Sequence, residues 1–305
     1  MKRRTFRVET AQVGRPLGEV LAEVLALPGE EVARLVDVGA VYVGGRRSRD
    51  ARARLDAQQV VTVVLEEGGV SPLAPAAAPV AALRVLFEDA AVIAVDKPAG
   101  MTAQPTEGRV GDSLVDRVGT HLGRPAGLVH RLDRETSGVT VFGKSPEATA
   151  ALAGEFREGR AHKRYLAAVG PVALPPSGTI DLPLSRDPSR PGRWRATRAA
   201  NGIPALTLFR VVYAGPDFHL VELLPQTGRT HQLRAHLTAL GAPILGDTRY
   251  GGAPRAGSLA APRCLLHAQA LEIAHPRSGS PLRFEAPLPE DLALYFTAAG
   301  LVAPV

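Results

Sequence analysis

A single cysteine stands in the 305 residues. Cys264 alone closes no intrachain disulfide and builds no cysteine-cluster zinc site. Its apolar setting, Cys264-Leu-Leu266, suits an inert buried thiol, and a reducing, cytosolic compartment is expected. No run of about 18 apolar residues occurs, so no membrane-spanning helix is expected. The basic start, Met1-Lys-Arg-Arg-Thr-Phe6, has no apolar stretch behind it and is not read as a secretory signal. There is no Gly-x-Gly-x-x-Gly between a strand and a helix and no Walker sequence, which leaves a nucleotide cofactor unsupported. No His-Glu-x-x-His and no Gly-x-Ser-x-Gly is present. His231 and His236 would sit about 140° apart on a helix, wrong for a shared metal. Lysine is also scarce: of 36 basic residues only Lys2, Lys97, Lys144 and Lys163 are lysines. Arginine suits phosphate and base recognition, but a GC-rich genome gives the same bias. The net charge of +6 therefore decides little by itself.

What the chain does have is 45% hydrophobic residues, enough for a real core. Residues 1–67 read as a small unit. Pro16 opens a helix carrying Leu17, Val20, Leu21, Val24 and Leu25 on one face. Pro28 interrupts it, and a second helix with Val32, Leu35 and Val36 stops at Gly39. Ala40–Val43, the Gly44-Gly45 turn and Val60–Leu65 suggest a hairpin. Residues 68–82 are rich in Gly, Pro and Ala and read as a semi-stiff linker. From residue 83 onward, strands and helices alternate without a regular βαβ repeat. The expected class is α+β, with a second, larger domain over 83–305. Ser145-Pro146 predicts a helix start, 171–203 an irregular loop or short hairpin, and Thr230–Leu240 a helix.

Polar groups concentrate in four segments. They are Val95-Asp-Lys-Pro-Ala-Gly100, Val129-His-Arg-Leu-Asp-Arg-Glu-Thr-Ser-Gly138, Lys163-Arg-Tyr165 and Leu224-Pro-Gln-Thr-Gly-Arg-Thr-His-Gln-Leu-Arg234. The second runs into an apolar stretch, Val139–Phe142. Charges beside a core persist only when paired or put to use, and Asp133 between Arg131 and Arg134 reads as an ionised, positioned carboxylate. A lone aspartate among arginines is more often a structural ion pair than a catalyst; the company of the other segments reverses that weighting.

Together the segments resemble the RluA-type pseudouridine synthase family. His-Arg-Leu-Asp-x-x-Thr-Ser-Gly stands at 130–138, Lys-Pro-x-Gly at 97–100, Lys-x-Tyr at 163–165, and Thr-Gly-Arg-Thr-His-Gln-Leu-Arg at 227–234. Gly-x-Pro-Ile-x-Gly-Asp follows at 241–247 and Tyr-Gly at 250–251. The resemblance covers about residues 83–292, and residues 1–67 look like the S4-type RNA-binding domain often fused ahead of it. It implies a central mixed, mainly antiparallel sheet flanked by helices and loops. It also implies conversion of uridine in RNA to pseudouridine, with no cofactor and no metal. Asp133 would be the catalyst, as a nucleophile at C1′ or a base at C2′, with Arg229 as its partner. Tyr165 would stack on the uracil or help remove the C5 proton, and Leu233 would form an apolar floor. Arg131 would fill the space left by the extruded base. His130, Lys97 and Lys163 would contact RNA, as would Arg46 and Arg47 in the small unit. Trp194, in an arginine-rich loop, would stack on a base or anchor the loop. Large-subunit ribosomal RNA is the favoured partner and transfer RNA the alternative; no membrane partner and a monomer are expected.

Two departures stand out. The family's Gly-Lys ahead of the Ala-x-Thr strand reads Gly202-Ile203, so one basic contact is missing. The Gly-Asp turn before the last strand of the small unit reads Ala57-Gln58-Gln59, and residues 1–67 hold 11 basic against 10 acidic side chains, a weak electrostatic handle. Two competing readings remain open. A non-catalytic RNA-binding or ribosome-assembly protein would be favoured by a lost Asp133, Tyr165 or Arg229. A glycosidic hydrolase would need a second carboxylate, for which Glu135 is the nearest candidate.

Overall fold

The computed structural model describes residues 2–37, 39–44, 46–48, 50–65, 83–105 and 113–302. The expected linker at 68–82 lies outside the described residues. So do the side chains of Arg46 and Arg47, although their backbone forms a short strand. Two compact units emerge, one of Met1–Ala82 and Gln104–Asp116, the other of Leu83–Ala103 and Arg117–Val305.

The first unit contains β1 (Lys2–Arg7), α1 (Leu17–Leu25), α2 (Gly29–Asp37), β2 (Val41–Val43), β3 (Arg46–Arg47) and β4 (Val60–Leu65). Both helices fall where proline and glycine punctuation placed them. Leu17, Val20, Leu21, Val32, Leu35 and Val36 are all buried in one cluster. The sheet runs β1-β4-β2-β3. Strand β1 was not foreseen, because its alternation is carried by arginines and a single phenylalanine.

The second unit is built on a ten-stranded sheet. In chain order its strands are β5 (Arg84–Glu88), β6 (Val92–Lys97), β7 (Gly127–Leu128), β8 (Ser137–Gly143), β9 (His162–Val169) and β10 (Ser177–Asp181). A separate hairpin of β11 (Leu184–Arg186) and β12 (Trp194–Ala196) follows, then β13 (Leu206–Ala214) and β14 (His219–Pro225). A small pair, β15 (Arg255–Ala256) with β16 (Leu259–Ala260), precedes β17 (Leu266–Ala274) and β18 (Pro281–Glu285). Among the described residues the helices α4 (Pro146–Arg157), α5 (Gln232–Ala239) and α6 (Glu290–Ala298) accompany them, while α3 (Leu114–Leu122) begins within the first unit's residues and ends within the second's.

The main path of the sheet is β10-β13-β14-β9-β17-β8-β6-β5, with β18 on β17 and β7 on β8. Among the described residues only the β17–β8 pair is parallel, so the sheet is mixed and mainly antiparallel, as expected. Strand β8 is buried at all seven positions, which explains its continuous apolar run. Its entry is shaped by Gly138. With φ at +114°, and with an added Cβ falling 2.2 Å from the Ala268 carbonyl oxygen, no other residue fits against β17 there. Helix α4 starts where Ser145-Pro146 predicted, its Ser145 side chain accepting from Ala148 N–H. Among the described residues no helix is long and apolar enough to cross a membrane.

Candidate active site

The segment 130–136 forms a loop between β7 and β8, tied down at its centre. Lys97, at the end of β6, is wholly buried. Its Nζ donates to the carbonyls of Pro98 (2.9 Å), Met101 (2.9 Å) and Arg134 (3.1 Å). Arg134 and Gly100 also bond reciprocally, Gly100 N–H to Arg134 O at 2.8 Å and Arg134 Nε to Gly100 O at 2.9 Å. From the other side, Arg263 Nη1 donates to Glu135 O at 3.0 Å while its Nε and Nη2 grip Asp291. Ser137 Oγ and His267 Nδ1 lie 2.9 Å apart, and the other ring nitrogen faces Ala286 O. The Nε2–H must serve that carbonyl, so Ser137 is the donor to Nδ1.

Anchored in this way, Asp133 lines a cavity of about 480 Å³ together with Arg131, Tyr165, Arg229, Leu233 and Arg234. Its side chain keeps 22% exposure, and its Oδ2 accepts from Arg234 Nη1 at 3.1 Å. The arginine is fixed in turn by Asp247, which takes Nε at 2.6 Å and Nη2 at 2.8 Å in a bidentate pair. Asp247 is almost fully buried, and the Tyr250 ring lies 4.7 Å from the guanidinium carbon. Asp247, despite the cost of burial, raises the Arg234 pKa, so the cation is permanent. The Cys264 thiol is buried beside Asp247, and burial pushes its pKa well up, as an inert thiol requires.

The segment 227–234 folds around Gln232. Its Oε1 accepts from Thr227 Oγ1 and Arg229 N–H, and its Nε2 donates to Leu206 O and Thr207 Oγ1. His231 takes a left-handed φ of 55°, uncommon for a non-glycine residue. Its Nδ1 meets Tyr250 Oη at 2.9 Å, and that oxygen already accepts from Trp194 N–H. The tyrosine proton is thus left for Nδ1. The neutral imidazole then carries its hydrogen on Nε2, 3.8 Å from Asp133 Oδ2.

Residues 91–239 match the family described as RNA pseudouridylate synthase. The chain is 35% identical to the ribosomal large subunit pseudouridine synthase D of Xanthomonas campestris, over 95% of this chain and 91% of that one. The chain belongs to the RluA-type RNA pseudouridine synthase family. It is also 42% identical to the dual-specificity RNA pseudouridine synthase RluA of Escherichia coli, over 67% of this chain and 93% of that one. Of two further relatives it spans 65% and 64% of the length. Among solved structures, human RNA Pseudouridylate Synthase Domain Containing 4 superposes with a TM-score of 0.60 at 28% identity, covering 73% of this chain and 95% of that one.

Within this family frame the cavity gathers most of the expected residues but redistributes their roles. Arg229 lines the cavity yet is not the partner of Asp133: it is exposed, with Nε on Pro204 O at 3.1 Å, and Arg234 makes the pair. Lys97 is no RNA contact, since its donors are spent on three carbonyls inside the protein. His130 is likewise turned inward. Val141 N–H donates to its Nε2 at 3.0 Å and its ring stacks on Phe156. Burial lowers its pKa to about 3, so it offers no charge to a phosphate. Lys163 lines the cavity, with Nζ 3.3 Å from Thr227 O. Leu233 is buried in the core with one face on the cavity. Arg131 is exposed at the cavity and makes no hydrogen bond or ion pair among the described residues. Burial, and secondarily the charge of Asp133, drive the Tyr165 phenol well above its ordinary pKa of 10.0, so it stays protonated. Glu135 pairs with Arg134 at 3.7 Å and does not line the cavity, which leaves a hydrolase without its second carboxylate. Sequence reasoning missed Asp247 and Tyr250 as site residues; the Gly-Asp and Tyr-Gly motifs around them were the signal.

Proposed function

We propose that the protein isomerises uridine to pseudouridine in RNA, with large-subunit ribosomal RNA as the favoured substrate. The observation that supports it most is Asp133: a carboxylate held on a buried arginine, with one side open to a cavity of nucleotide size. The reaction breaks the N1–C1′ bond, turns the uracil and forms a C5–C1′ bond; C5 loses its proton to solvent and N1 takes one up, so the product is an isomer with no net change in atoms. Asp133 serves it as a nucleophile at C1′ or as a base at C2′. Both routes need the carboxylate held in place before substrate arrives, and the bond from Arg234 Nη1 to its Oδ2 holds it. The protonated Tyr165 suits stacking on the uracil or donating to it rather than removing the C5 proton. Leu233 forms the apolar floor, and Arg229 and Lys163 contact the incoming nucleotide.

Arg131 is the group we assign to the space vacated by the extruded base. Its guanidinium is free among the described residues and can stack and hydrogen-bond together. The small N-terminal unit is read as an S4-like RNA handle, with Arg46 and Arg47 on its strand β3. The relative named for the ribosomal large subunit aligns over 95% of the chain, whereas the dual-specificity one is matched over 93% of its length by 67% of this chain. Only the former leaves room for a counterpart of the N-terminal unit, which favours the ribosomal substrate; transfer RNA is the second reading. We assign the enzyme to the cytoplasm, where it meets its RNA as a monomer.

Asp133→Asn is expected to abolish pseudouridine formation on a large-subunit ribosomal RNA transcript while melting temperature and RNA affinity stay close to those of the parent. Full turnover by this variant would sink the mechanism.

A further inference from the structure

The hairpin β11–β12 and its flanks carry a charge that the chemistry at Asp133 does not use. Residues 184–198 hold five arginines against one aspartate. Asp187 is already taken: its Oδ1 accepts from Ser189, and its Oδ2 lies 3.7 Å from Arg193. The side chains of Arg186, Arg190, Arg195 and Arg198 are exposed and make no hydrogen bond or ion pair among the described residues, although Arg186 lies 6.0 Å from the Trp194 ring centroid and the charge of Arg195 reaches Asp187. Four cations in thirteen residues, none in an ion pair, repel one another. A surface of this kind is relieved by a polyanion.

The hairpin is also fastened to the wall of the cavity. Trp194 N–H donates to Tyr250 Oη at 2.9 Å, and Tyr250 Oη lies 2.9 Å from His231 Nδ1. His231 lines the cavity. Two hydrogen bonds therefore separate the hairpin backbone from a residue facing Asp133. The Tyr250 ring is flanked by two guanidinium carbons, Arg193 at 4.9 Å and Arg234 at 4.7 Å. Arg193 Nε is buried and has no hydrogen-bond partner, its ion-pair contact with Asp187 being 3.7 Å long. Arg249 Nη1 donates to Gly192 O at 3.0 Å and braces the tip. Trp194 itself packs with Leu184, Ala235 and Tyr250, so it anchors the loop and does not await a base.

We infer that the β11–β12 hairpin is a phosphate-binding surface for the RNA backbone flanking the target nucleotide. The inference rests on the proposed RNA-modifying function. The strand that delivers one nucleotide to the cavity continues on either side with one charge per residue, and the exposed guanidiniums offer it bidentate donors. The binding is sequence-independent and therefore salt-dependent.

The test uses the full chain with Arg186, Arg190, Arg195 and Arg198 all replaced by Ala, and in parallel all by Lys. Affinity for a large-subunit ribosomal RNA transcript is measured across a salt series, with circular dichroism to verify folding. The Ala variant is expected to bind at least tenfold more weakly at low salt. Its plot of log affinity against log salt should be flatter by about three units, since each phosphate contact contributes about 0.7–0.9. The Lys variant should keep most of the affinity and slope. Parent-like affinity and slope in a folded Ala variant would overturn the inference, as would a Lys variant as weak as the Ala one. Loss of polyglutamate binding with RNA affinity intact would assign the surface to an acidic protein instead, and would also overturn it. If the parent chain makes no pseudouridine in ribosomal or transfer RNA, the proposed function fails, and the salt series still reports on the hairpin.

Discussion

Arg229 and Arg234 are five residues apart in one motif and have opposite surroundings. Arg234 is clamped between a buried carboxylate and the one that faces the cavity; Arg229 reaches a backbone carbonyl from solvent. Removing one member of a buried ion pair strands the other charge at a cost of about 3–5 kcal/mol. Arg234→Ala should therefore destabilise the protein by that order, while Arg229→Ala should shift stability by only about 0.5 kcal/mol. Urea titrations of both variants check this; equal losses would contradict the assignment of the pair. A second contrast concerns Arg131. Arg131→Ala should lower turnover on a folded RNA stem-loop more than on a relaxed single strand, because only the former must fill the gap left by the base. Equal losses on both substrates in single-turnover assays would remove the base-displacing role.

At the scale of elements, local sequence signals decided the boundaries well where a proline, a glycine or a capping serine marks them. Helix α4 and the two helices of the small unit are examples. They failed where an element exists only through its partner. Strand β1 is pinned by six pairings with β4, and β10 by five with β13; neither carries a clear apolar alternation of its own. The turn before β4 shows a different kind of mismatch. Gln58, in the Ala57-Gln58-Gln59 stretch that stands in for the family's Gly-Asp turn, adopts φ of +65°, and its exposed side chain accepts from Arg7 at 3.2 Å. A left-handed conformation costs a non-glycine residue roughly 1 kcal/mol, more than an exposed hydrogen bond returns. Gln58→Gly should raise the stability of the N-terminal unit by about 0.5–1 kcal/mol. Hydrogen exchange of the α1 and α2 amides would read it; slower exchange is expected, and faster exchange would refute it.

For the whole molecule, buried titratable groups make stability depend on pH in a definite direction. His130 and His267 are held at about 3 and about 4 against an ordinary 6.5, chiefly because burial penalises their charged forms. The unfolded chain takes up these protons below about 6.5 and the folded chain only near 3–4, so stability present above 6.5 is lost as pH falls through that window. Burial brings Lys97 down to about 7 from 10.5, so the folded state sheds its proton first and stability rises with pH between those values. Urea midpoints should climb from about pH 4.5 to 6.5, and this contribution should climb again above about pH 7. A flat profile across both windows would show that these groups are solvated or repaired by relaxation.

The sequence by itself determined the family, the carboxylate at Asp133 and most of the residues that line the cavity. Those depend on which residues follow one another in a loop: His-Arg-Leu-Asp ahead of a buried strand, and Thr-Gly-Arg-Thr-His-Gln-Leu-Arg ahead of a helix. Only the tertiary structure decided which arginine holds Asp133 and which polar groups face inward. An ion pair is chosen by distance and by the alternative partners within reach. Asp247, Tyr250 and Trp194 arrive at the site from segments far along the chain. The same holds for Lys97 and His130. Their side-chain types suit a phosphate, but three carbonyls and a strand amide reach them first. Sequence order carries the motif. Burial and pairing, which come only with the fold, assign each charge its work.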